Sequence, residues 1–74
     1  MEIVYDQIAD ALSIRLSREE IKESDEIKSG IIIDYGMKGD LVGIELLNFT
    51  QRNINLNNLI KMQPDEIVPS LVNC

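Results

Sequence analysis

Four aspartates mark where this chain could do chemistry. Asp6 and Asp10 lie four residues apart across a short connection, and Asp34 and Asp40 bracket the glycine loop Gly36-Met37-Lys38-Gly39. Paired carboxylates can bind a hard cation through oxygen or exchange a proton. Turn chemistry is the plainer reading of the first pair, because an Asp side chain accepts hydrogen bonds from nearby backbone N–H groups. A calcium loop needs about six oxygens. The stretch from 34 to 40 offers two carboxylates with Lys38 between them. Neither Gly36 nor Gly39 opens the Gly-Lys-Ser/Thr ending of a phosphate-cradling loop.

The rest of the catalytic repertoire is thin. The chain has no His, the usual proton shuttle near neutral pH. Ser13 lies between Leu12 and Ile14 and so faces away from an apolar row, beside Arg15. No catalytic residue, cofactor or metal ligand is assigned, and a non-enzymatic protein is expected. The alternative is a small metal-dependent or ligand-binding protein using Asp6, Asp10, Asp34 and Asp40. The single cysteine, Cys74, cannot form an internal disulfide and is expected to be an unpaired thiol at a frayed end.

The elements that would position these groups read as strands. Leu12, Ile14 and Leu16 alternate with Ala11, Ser13 and Arg15, the period of a half-buried strand. Residues 31–35, Ile-Ile-Ile-Asp-Tyr, are β-branched and aromatic. In 40–47, Val42, Ile44 and Leu46 would face the core, with Leu41, Gly43, Glu45 and Leu47 behind them. Residues 2–5 form a first short strand, and the polar stretch 21–28 suits an exposed edge. The glycine loop makes a hairpin of 31–35 and 40–47. After residue 47 the period changes. Leu56, Leu59, Ile60 and Met62 recur at helical spacing, Asn55 can cap that helix, and Pro64 opens another whose length Pro69 limits. The expected fold is α+β in one domain, 1–74. An antiparallel β-meander of four or five strands (2–5, 11–16, 21–28, 31–35, 40–47) fills 1–47. A helical segment, 48–74, carries one or two short helices (55–63, 65–72).

Charge narrows the partners. Thirteen acids face seven bases among 74 residues, a net charge of −6. Residues 1–47 carry eleven of the acids and five of the bases, so the remainder is neutral. Nucleic-acid affinity comes mostly from Lys and Arg on phosphates, and anionic membranes select the same residues, so neither is an expected partner. No apolar run reaches the ~20 residues of a spanning helix. The start, Met1-Glu2-Ile3-Val4-Tyr5-Asp6, is acidic and alternating rather than a signal peptide, so a soluble cytoplasmic protein is expected. Residues 19–26 hold five acids and one base. They are either a solvated strand or a docking surface for a basic partner. A marginal core and an apolar sheet face also favour a homo-oligomer, a dimer first.

The order of short motifs carries a resemblance. Tyr5-Asp6, Ala9-Asp10-Ala11-Leu12 and Ile14-Arg15-Leu16-Ser17 come first. Glu23-Ser24-Asp25-Glu26, Gly30-Ile31-Ile32-Ile33-Asp34-Tyr35, Gly39 and Val42-Gly43-Ile44-Glu45-Leu46-Leu47 follow. Over residues 3–47 this resembles a family of small prokaryotic domains of unknown function. Some of its members are proposed as antitoxin-like partners of small toxin proteins. The resemblance thus implies a toxin-like protein as partner. It departs at Gly36, where the family has a further acidic residue after Asp-Tyr.

Overall fold

In a computed structural model, residues 1–73 are described, and Cys74, with the expectation attached to it, lies outside them. Five strands form one antiparallel sheet: β1 (Glu2–Asp6), β2 (Ala11–Arg15), β3 (Glu23–Lys28), β4 (Ile31–Tyr35) and β5 (Leu41–Leu47). A 3-10 turn, Phe49–Gln51, leads to α1 (Leu56–Ile60) and α2 (Pro64–Val72). The α+β architecture therefore stands, with strand ends within about two residues of those expected.

The strands lie in the order β1-β2-β5-β4-β3. Strands β3, β4 and β5 are a true meander and β1–β2 is a separate hairpin. The link 17–22 carries the chain from β2 to the far edge, so that β5 returns between them. The reason lies in the hydrophobic pattern. Strands β2 and β5 are the two that alternate most cleanly, and pairing them aligns Leu12 with Leu46 and Ile14 with Ile44. On the other side of β5, Ile31 aligns with Leu46 and Ile33 with Ile44. The most apolar strands thus take the centre, and the polar strands β1 and β3 become edges.

One face assignment needs correcting. Tyr35 pairs with Leu41, and Asp34 with Gly43, so Val42 is the extra residue of a β-bulge. The bulge shifts alternation by one position. Leu41 consequently packs against the core rather than lying behind it. Val42 is buried but outside the main cluster, and its carbonyl accepts from Leu16 N (2.7 Å) and Ser17 N (3.3 Å).

The helices cover one sheet face. Leu59, Ile67 and Leu71 join Leu12, Ile14, Ile31, Ile33, Ile44 and Leu46 in one buried cluster. Asn55 caps α1 as expected, its side chain accepting from Asn58 N at 3.2 Å. Glu66 accepts from Gln63 N at 2.9 Å, which fixes the start of α2. Pro69 does not end α2. The helix runs on to Val72 because Ile67 and Leu71 anchor it on both sides of the exposed proline. Arg52 donates to the carbonyls of Leu47 and Ser29, tying the sheet end to the helical segment.

Candidate functional site

Among the described residues, no helix or second sheet covers the sheet face opposite the helices, and two cross-strand rows run over it. One reads Val4, Ser13, Glu45, Ile32, Glu26, and the other Glu2, Arg15, Gly43, Asp34, Ser24. Where the rows meet on β4 and β5, Asp34 and Glu45 become diagonal neighbours. Asp34 is only 5% exposed. Ser24 donates its hydroxyl to Asp34 Oδ1 at 2.6 Å. A Cβ on Gly43 would stand 3.1 Å from Asp34 Oδ2, so the missing side chain is what lets the carboxylate lie flat on β5. Glu45 is pushed above the ordinary glutamate range, first by burial, then by the charge of Asp34 and a hydrogen bond shared with it. Two carboxyl groups thus sit together in the lining of a concavity of about 270 Å3, with Ser13, Arg15 and Glu2. Arg15 does not clamp them. Its guanidinium donates to the carbonyls of Ser17 (2.7 Å) and Glu19, and so positions the link from β2 to β3.

The four aspartates do not meet. Asp6 accepts from Ile8 N (3.0 Å) and Ala9 N (3.1 Å), which is turn chemistry. Asp10 occupies the left-handed region at φ 52°. Its carboxylate accepts from the hydroxyls of Tyr5 and Thr50, each at 2.7 Å, and these bonds, Tyr5's first, hold it below the usual carboxylate range. Asp6 is in register with Ala11 and Leu47, four β5 positions from Gly43 and Asp34. That separation is about 13 Å along the strand.

Asp40 has a different partner, which the sequence reading missed. A hydrogen bond with Glu19 raises the Glu19 carboxyl and lowers that of Asp40. Both groups lean over Gly36: a Cβ there would lie 2.8 Å from Glu19 Oε2 and 3.1 Å from Asp40 Oδ1. With no side chain at Gly36, the carboxylate of residue 19 occupies the space a Cβ would take. Among the described residues, no three His, Cys, Asp or Glu side chains converge as a metal site.

The two sheet edges differ sharply. Strand β3 exposes Glu23, Ser24, Asp25 and Glu26, and its register with β4 is broken by a bulge between Glu26 and Lys28. Strand β1 exposes all five of its residues, among them Ile3, Val4 and Tyr5. Among the described residues, no helix is long and apolar enough to cross a membrane.

Fold and surface together define a small α+β domain whose distinctive chemistry is acidic and lies at one edge and on one open face. The chain belongs to a family described as proteins of unknown function (DUF2283), whose profile matches residues 2–49. The match spans the five strands and ends before α1, so the two helices that close the core lie outside it. No curated protein and no solved structure matches the chain significantly.

Proposed function

We propose that this chain is a non-enzymatic, cytoplasmic protein-interaction module that presents its acidic β3 edge to a small basic partner, in the manner of an antitoxin-like neutraliser. One observation carries this reading. The five acids of residues 19–26 fall on an exposed edge strand and the link leading into it; Lys22 is the one base within that stretch, with Arg18 and Lys28 flanking it. Side chains so exposed add little to stability. Complementary charge speeds encounter and selects partners, which gives such a cluster a use. A basic protein that grips RNA has the opposite surface.

The test is co-expression with the product of a flanking gene that alone arrests growth. The wild-type chain is expected to restore growth. A Glu23→Lys, Asp25→Lys chain with unchanged circular dichroism is expected not to. Equal rescue by both, or rescue by neither, contradicts the proposal.

The alternative, a metal-dependent protein using Asp6, Asp10, Asp34 and Asp40, has their dispersal against it. A thermal-shift series with Ca2+, Mg2+ and Mn2+ tests it, because any ligand that binds only the folded chain raises the Tm. No shift at millimolar ion is expected.

A further inference from the structure

The edge β1 is open where the edge β3 is guarded. Natural sheets blunt their edges with charge, proline, bulges or covering segments, because unpaired backbone groups template another strand. Strand β3 has both charge and a bulge. The centre of β1 has neither. Val4 is 54% exposed on the open face, and Ile3 and Tyr5 lie on the helix side, in register with the core residues Ile14 and Leu12. The core rows thus run out to β1 and stop at solvent. Ile8, in the turn beside this edge, is 99% exposed.

From this edge we infer that β1 is a homodimer interface: it pairs antiparallel with β1 of a second copy to give a continuous ten-stranded sheet. The inference rests on the interaction-module reading but uses the opposite edge. A second copy is the occupant for three reasons. An antiparallel edge is self-complementary about a two-fold axis normal to the sheet, and that pairing closes at two chains. Centred on Ile3, it places the two Ile3 side chains together and Tyr5 beside Met1 of the partner subunit. It also keeps Glu2 away from Asp6 of the partner subunit, a like-charge opposition that centring on Val4 would create. Finally, the charge distribution allows it. The acidic edge lies four strand spacings from β1, about 19 Å. In the joined sheet the two acidic edges stand at opposite ends, far beyond a Debye length of about 8–10 Å. Head-to-tail growth through β3 is blocked by its own acids.

Sedimentation velocity on the full chain, from 10 µM to 1 mM, is the experiment. The expected result is a concentration-dependent monomer–dimer equilibrium. Val4→Glu, at an exposed site outside the core and opposite Glu2 of the partner subunit in this register, brings like charges together twice across the two-fold axis; it should raise the dissociation constant at least about tenfold while leaving the melting curve of the monomer in place. Glu23→Lys, Asp25→Lys should not weaken the dimer, so this inference and the basic-partner reading fail separately. As a second measurement, Ile3→Cys on a Cys74→Ser background should oxidise to a covalent dimer, whereas Asp25→Cys on that background should not. A chain monomeric at 1 mM, or a dimer that is indifferent to Val4→Glu or cross-links through Asp25→Cys, would overturn the inference.

Discussion

Glu45 and Asp10 are carboxylates perturbed in opposite directions, and they move stability oppositely with pH. Burial and the neighbouring Asp34 charge raise Glu45, so the folded chain holds that proton more tightly than the unfolded one. The contribution is present below its ordinary value of 4.5 and is lost as pH rises through the raised value. Asp10 is lowered by its bonds from Tyr5 and Thr50, so its contribution is present above its ordinary value of 3.8 and lost as pH falls through the lowered one. Glu45→Gln removes the unfavourable ionisation while keeping the shape. It should raise the Tm at pH 7 and leave it nearly unchanged at pH 3.5, as thermal melts would show; a lower Tm at pH 7 would refute the pairing with Asp34. At Gly43 an added methyl would meet Asp34 Oδ2 and the Ile14 carbonyl at 3.1 and 3.3 Å. Gly43→Ala should therefore destabilise the chain by about 1–3 kcal/mol in urea titration. The turn role of Asp6 was legible from its spacing; that of Asp10 was not, because its carboxylate serves the Tyr5 hydroxyl and the distant Thr50 rather than its own turn. The Asp34–Glu45 and Glu19–Asp40 pairs were not, because each depends on strand register or on the path of a loop.

Two elements depend on partners distant in sequence. Helix α1 has five residues and α2 nine, both short for stability in isolation. Their stability comes from Leu59, Ile67 and Leu71 packed into the sheet cluster. Leu71→Ala should cost about 2–5 kcal/mol by chemical denaturation, as buried leucine truncations do. A domain this small has a total stability of only about 4–11 kcal/mol, so near-complete unfolding is within range. A cost below about 1 kcal/mol would mean that α2 is detachable. Strand existence and the buried rows of β2, β4 and β5 were readable because period-two alternation is local. The bulge at Val42 was not, since alternation continues unbroken through 40–47 and only pairing with Tyr35 reveals the extra residue. The β2–β5 neighbourhood was hidden for the same reason: it follows from competition among strands for the centre of the sheet.

At the scale of the whole molecule, chemistry is divided between a closed side and an open one. Helices seal one face; the other carries the buried Asp34 and the half-buried Glu45; one edge is apolar at its centre, between Glu2 and Asp6, and the other acidic. The family match covers the sheet and stops before the helices, which places the shared features on strands. Sequence charge already pointed to the acidic segment, but its concentration along one exposed edge required the strand order. The most direct measurement is quantitative capture from the source cell's extract, with the wild-type chain and the Glu23→Lys, Asp25→Lys chain as parallel baits at low and high salt. The expected result is a small basic protein retained by the wild type alone and released as salt rises. Identical proteins on both baits, or retention indifferent to salt, would contradict an acidic edge made to be held by a partner.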